Sequence, residues 1–130
     1  MIGVFKRVLV LAPHTDDGEV GCGGTIARLI DEGRDVWYLA LSAAEESTPP
    51  GFPRDQLRSE VADATKVLGI DADRLMVDSF AVRNFPEHRQ EILQRFWELN
   101  NEIEPDLVLL PSTNDLHQDH RTVADEGLRV

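Results

Sequence analysis

Residues Val8–Gly24 read VLVLAPHTDDGEVGCGG. The stretch begins as an unbroken apolar run that stops at Pro13. Lys6–Ala12 (KRVLVLA) has the β-branched and leucine content of a strand buried on both faces, as in a parallel sheet. His14, Asp16 and Asp17 then crowd its C-terminal end. Adjacent like charges oppose each other's ionisation unless a cation lies between them. Glycines follow at once, and Gly23–Glu32 (GGTIARLIDE) predicts a helix that Gly33 stops. A strand, a charged mouth and a helix make the opening of an α/β unit.

The alternation continues along the chain. Val36–Leu41 (VWYLAL) predicts a second buried strand. Ser42–Arg54 (SAAEESTPPGFPR) predicts a loop, marked by three prolines and a glycine, and a connector of that length is commonly functional. Asp55–Leu68 predicts a helix with Leu57, Val61, Ala64 and Leu68 on one face and Gly69 beyond its end. Arg74–Val77 predicts a short strand. Pro86–Ile103 predicts a helix with Ile92, Phe96, Leu99 and Ile103 as its apolar stripe, and Pro105 blocks its continuation. Asp106–Pro111 (DLVLLP) predicts a fourth strand, and Gln118 opens a fourth helix. One domain over residues 1–130 is expected, with a Rossmann-like three-layer α/β/α architecture. Right-handed crossovers favour a mostly parallel sheet of order 3-2-1-4. In that order the first and fourth strands adjoin at the switch point, and ligands bind beyond their C-terminal ends.

Bulk composition narrows the function. The chain has 130 residues, 42% of them hydrophobic, which suits a single core. Thirteen basic residues against 24 acidic ones give a net charge of −11. A nucleic-acid or anionic membrane partner needs a basic face, so neither is expected. Cys22 is the one cysteine, which excludes an internal disulfide framework. No apolar run approaches the roughly 20 residues that span a bilayer. MIGVFKR lacks the apolar region of a signal peptide, so a cytoplasmic setting is the expectation. An uncovered sheet edge makes a homo-oligomer possible.

The chemistry concentrates at two strand ends. The first carries PHTDD, with His14, Asp16 and Asp17; the fourth leads into NDLHQDH, with Asp115, His117, Asp119 and His120. Three of the four histidines lie in these clusters. The fold makes the two clusters neighbours. Two imidazoles and a carboxylate suit zinc, which in catalytic sites leaves one position to water. Such a metal lowers the pKa of its water to about 7. A second carboxylate can then accept a proton, and a further histidine can stabilise an oxyanion. Alternatively, Asp16 or Asp17 simply caps the following helix. GCGG does not match the GxGxxG nucleotide fingerprint, and the preceding acids would repel a pyrophosphate. Its glycines are expected to let the chain turn near the metal and to pack helix on strand. Cys22 reads as a core thiol, with metal ligation as the alternative.

Together these motifs resemble the LmbE-like, or PIG-L, family of zinc-dependent N-deacetylases. APHTDDGEVGCGGTIARL is similar to that family's A-H-P-D-D-E motif with its glycine-rich turn, and NDLHQDH to its H-x-D-H motif. LRSEVADATKVLGI and PDLVLLPS resemble the segments between them. The resemblance implies removal of an acetyl group from an N-acetylated sugar, typically an N-acetylglucosamine conjugate. It implies zinc, or another divalent metal, on His14, Asp17 and His120. Asp16 would be the general base, His117 would stabilise the tetrahedral intermediate, and Asp119 would orient a histidine. Arg58, or else Arg54, would hold substrate. Thr15 stands where the family has proline, and Gly18 where it has its first glutamate, with Glu19 next. Family members continue past the second motif, so the C-terminal part of their fold is expected to be absent here. A non-catalytic metal- or sugar-binding module of the same fold is the alternative expectation.

Overall fold

The computed structural model describes residues 4–130. Met1–Gly3, the first residues of MIGVFKR, lie outside them. Among the described residues four strands form one parallel sheet: β1 (Arg7–His14), β2 (Asp35–Ser42), β3 (Leu75–Val77) and β4 (Leu107–Leu109). The α-helices are α1 (Asp17–Asp31), α2 (Gln56–Leu68), α3 (Arg89–Ile103) and α4 (Gln118–Gly127). The sheet order is β3-β2-β1-β4, as the alternation of elements predicts.

Period-two alternation divides each central strand between two cores. Val8, Val10 and Ala12 of β1, with Val36, Tyr38 and Ala40 of β2, pack under Ile26 and Leu29 of α1 and Val61 of α2. Leu9, Leu11, Leu39 and Leu41 point the other way, against Ile92, Phe96, Leu99 and Ile103 of α3 and Val123 of α4. The expected apolar stripe of α3 is therefore buried in full. The result is three layers, α1 and α2 on one face and α3 and α4 on the other. Buried Glu126 fastens α4 in place, accepting from Arg89 Nε at 2.6 Å and Arg129 Nη1 at 2.6 Å.

Several boundaries differ from the sequence expectations for physical reasons. β1 runs two residues past Ala12, so His14 is its last residue and pairs with Ser42. α1 starts at Asp17 rather than near Gly23, and the chain kinks at Cys22, whose φ is −145°. The glycines of GCGG therefore flank a kink between two helical segments, Gly21 before it and Gly23 and Gly24 after it, so the helix expected from Gly23 is the second segment. Gly21 and Gly24 have open space around them. α3 is preceded by a separate 3-10 turn, Phe85–His88, pinned by the Phe85 N–H on Asp119 Oδ1 at 3.1 Å. Gly69 does end α2, in the left-handed region at φ 92°. No described helix is long and apolar enough to cross a membrane.

Asp106 sets the alignment of the two strands that carry the motifs. Its carboxylate accepts from the Lys6 N–H at 2.9 Å and the Arg7 N–H at 2.9 Å, and its own N–H donates to Arg7 O. β4 begins immediately afterwards, with Leu107 opposite Val8. The Lys6 N–H, aided by that of Arg7, holds the Asp106 carboxyl below its ordinary value of 3.8. A depressed carboxyl stabilises the fold above its unfolded pKa and loses that effect as pH falls through its folded pKa. Asp106→Ala is therefore expected to lower the Tm at neutral pH. The difference from the parent should begin to narrow below pH 3.8 and shrink further as pH falls through the lower folded pKa, which thermal melts over an acid series would show.

Candidate active site

The β1–β4 pairing brings the two histidine-aspartate clusters together. His14 ends β1, Asp17 opens α1, and His117 and His120 stand at the start of α4. Asp17 Oδ2 lies 3.2 Å from His14 Nδ1 and 3.3 Å from His120 Nε2, and it also accepts the His14 backbone N–H at 2.8 Å. The three side chains form one of two groups among the described residues that could hold a metal ion. The second is His14, His117 and Asp119, with His14 shared.

The outer nitrogens of both histidines meet carboxylates. His14 Nε2 bonds Asp119 Oδ2 at 2.8 Å, and His120 Nδ1 bonds Asp115 Oδ2 at 2.9 Å. An ionised carboxylate only accepts, so each of these nitrogens carries the proton. In the neutral rings the lone pairs of His14 Nδ1 and His120 Nε2 then face Asp17 Oδ2. Three acceptors on one point are reconciled by a cation, either a proton or a metal. This donor set, with a carboxylate behind each imidazole, fits zinc or a similar divalent ion. Asp119 is the poorer ligand, because Oδ2 already takes the Arg83 N–H at 2.6 Å and Oδ1 that of Phe85.

Proton affinities follow the same arrangement. Burial disfavours charge on His14, yet its hydrogen bonds to Asp17 and Asp119 outweigh that and raise its pKa. Burial likewise pushes the Asp17 carboxyl up, but hydrogen bonds from His14 and the two imidazole charges carry it below the usual range. Asp16 goes the opposite way. Burial first, then the charges of Asp17 and Glu19, raise its carboxyl. The neighbouring aspartates are thus chemically distinct.

Other expected residues fall as follows. His117 is the N-cap of α4, its Nδ1 accepting the Asp119 N–H at 3.1 Å. Its ring centroid lies 5.0 Å from that of His14 and 4.9 Å from that of His120. Arg58 holds the loop after β2: Nε meets Glu45 at 3.1 Å, Nη1 donates to Val77 O, and Nη2 to Asp78 O and Ser79 Oγ. Arg54 is exposed. Cys22 is a core thiol, bonding Gly18 O at 3.2 Å and packing against the α1 core; burial, then Glu19, raises its pKa. Asp115 stood in the second cluster without a role; its place behind His120 emerges only from the folded loop. A cavity of about 570 Å³ opens beside Asp17, Asp115 and His120 and continues along the apolar edge formed by Val108 and Val20.

Residues 9–130 match PIG-L, GlcNAc-PI de-N-acetylase. The chain belongs to the PIG-L family. It is 30% identical to a diacetylchitobiose deacetylase of Thermococcus kodakarensis, over 96% of this chain and 49% of the relative. A 1D-myo-inositol 2-acetamido-2-deoxy-alpha-D-glucopyranoside deacetylase of Rhodococcus erythropolis is 32% identical over 65% of this chain and 33% of its own length. Among solved structures, the N,N'-diacetylchitobiose deacetylase of Pyrococcus horikoshii superposes with a TM-score of 0.83 at 25% identity, covering 97% of this chain and 49% of that one. The protein TT1542 of Thermus thermophilus gives 0.76 at 35% identity, covering 93% and 53%. The PIG-L chain spans about half the length of the curated diacetylchitobiose deacetylase it matches.

The carboxylate behind His120 provides a test of the donor set. Asp115→Asn is expected to weaken zinc binding by about 10- to 100-fold, the usual effect of losing a carboxylate behind a ligating imidazole. Competition with a chromogenic chelator measures it, and circular dichroism should show an unchanged fold.

Proposed function

We propose that this PIG-L chain carries the metal and base machinery of a hydrolase that removes the acetyl group from an N-acetylglucosamine-type sugar. The observation that carries the reading is the convergence of His14 Nδ1, Asp17 Oδ2 and His120 Nε2, each imidazole backed by a carboxylate. The names of the deacetylase relatives, acting on diacetylchitobiose and on a 2-acetamido-2-deoxyglucopyranoside of inositol, support the substrate class. A divalent cation held by His14, Asp17 and His120, zinc by the nature of the ligands, supplies Lewis acidity and a water of lowered pKa.

The remaining steps belong to the chain's own side chains. Asp16 accepts a proton from the attacking water, a role suited to a carboxyl whose pKa is raised. The same proton passes to the amide nitrogen as the C–N bond breaks, leaving acetate and a free amino sugar. His117 keeps its Nδ1 lone pair on the Asp119 N–H, so its proton resides on Nε2. That N–H is the donor for the developing oxyanion. Asp119 and Asp115 fix the two metal-facing rings. Arg58 acts as a strut for the loop after β2 rather than as the main grip on the sugar, because most of its donors are already engaged.

A second reading is a metal- or sugar-binding module of the same fold without catalysis. Fold alone does not separate the two. Asp16→Asn separates them. Zinc content by elemental analysis should stay at the parent level, and acetate release from N,N'-diacetylchitobiose should fall by about 100-fold or more. Zinc binding with no acetate release by the parent chain would favour the module. Full activity in the variant would remove Asp16 from the role of base.

A further inference from the structure

A helix ordinarily satisfies its first amides through the N-cap side chain, which accepts from the second or third helical N–H. In α1 the N-cap is Asp16, and its carboxylate makes no such bond. Asp16 instead takes the left-handed conformation at φ 111°. The second helical amide, Gly18 N–H, donates to the hydroxyl of Tyr38 at 3.0 Å. Tyr38 comes from the middle of β2 and is 0% exposed. Its hydroxyl proton goes to the carboxylate of Glu19, the third helical residue. One phenol thus accepts from one residue of the first turn and donates to the next.

Only glycine permits this contact. A Cβ at position 18 would lie 2.5 Å from both Cε2 and Oη of Tyr38, closer than any real contact. The order Gly18-Glu19 is the departure from the family motif noted above, and the structure gives it a purpose. Gly18 admits the ring, and Glu19 receives the hydroxyl. Burial, then the bond to Glu19, raises the Tyr38 pKa, so the phenol keeps the proton it donates.

We propose that Tyr38 is a positioning residue: its hydroxyl caps α1 in place of Asp16 and thereby leaves the Asp16 carboxylate available for proton transfer. The inference rests on the reading of Asp16 as the base. Without the hydroxyl, the Gly18 N–H needs another acceptor. The ordinary one for that amide is the side chain two residues earlier, Asp16 itself. A carboxylate drawn onto the helix is both withdrawn from the site and weakened as a base. Asp17 keeps its own contacts to His14 and His120 throughout, so metal binding and proton transfer become separable.

Tyr38→Phe tests this in the full chain loaded with zinc. The expected result is a loss of kcat of at least about tenfold, within the range of general-base effects, with KM and zinc affinity close to those of the parent. A crystal structure of the variant should show Asp16 accepting from the Gly18 N–H. Gly18→Ala, which displaces the hydroxyl but keeps the phenol, should reproduce the kcat loss and serves if Tyr38→Phe does not fold. Parent-level kcat in either folded variant overturns the proposal, as does a kcat loss that only tracks lost zinc. If the parent chain itself releases no acetate, the deacetylase reading fails. The crystal structure of the variant then still decides the cap: Asp16 on the Gly18 N–H supports it, and Asp16 unmoved refutes it.

Discussion

The carboxylate of Asp119 is the point on which the site depends. It is completely buried, and a buried charge is tolerable only with its hydrogen bonds made. Asp119 makes three, to His14 Nε2, to the Arg83 N–H and to the Phe85 N–H. These partners come from the end of β1, from the loop after β3 and from the turn before α3. A single side chain at the start of α4 therefore joins segments that the sheet alone would only bring near one another. Arg83 sits in the left-handed region at φ 74°, a strained conformation for a non-glycine residue that the bond to Asp119 helps to hold. Asp119 also fixes the tautomer of His14, and hence which nitrogen faces Asp17. The bond that holds the loops in place is the one that orients the His14 ring.

Helix capping is the second organising constraint. Both helices that open on the site depart from the common capping arrangement, and in both the departure concerns the chemistry. The N-cap of α4 is a histidine, whose Nδ1 takes the Asp119 N–H and so directs the remaining ring proton to Nε2. The N-cap of α1 is an aspartate that does no capping, because a phenol from β2 does it instead. Helix starts are also where backbone dipoles favour negative charge, which eases the crowding of acids around Asp17 and Asp119.

Much of this architecture can be read in the sequence, because it rests on local patterns. Continuous apolar runs at Val8–Ala12 and Val36–Leu41 mark strands buried on both faces, and the structure buries them in two cores. The strand order follows from the alternation of elements, and it places His14 and Asp17 beside His117 and His120. The start of α1 is not legible in the same way. Gly21, Gly23 and Gly24 have poor helix propensity, and they flank the non-helical Cys22 at which two helical segments meet. The first turn of the earlier segment takes its acceptor from Tyr38, a tertiary partner that no local window contains. Asp115 behind His120 and the clamp around Arg58 escape for a related reason, since each depends on where a loop closes rather than on spacing.

The pair Asp16-Asp17 brings these constraints to one place. Two adjacent carboxylates with equal surroundings would compete for one proton and be poorly suited to different tasks. Here the surroundings differ. Asp17 receives hydrogen bonds from His14, and its carboxyl is held low. Asp16 receives none from a cap or a neighbouring imidazole, and burial with the charge of Asp17 raises it. Carboxyls driven apart in this way can divide acid-base roles within one site. The separation follows from geometry: helix α1 turns Asp17 toward the histidines, while the strained backbone of Asp16 holds its carboxylate out of the cap. Neither residue's character is intrinsic to the doublet; each derives from a partner on another strand or helix. Exchanging their surroundings would exchange their proton affinities, so carboxyls of opposite character can occupy consecutive positions in the chain.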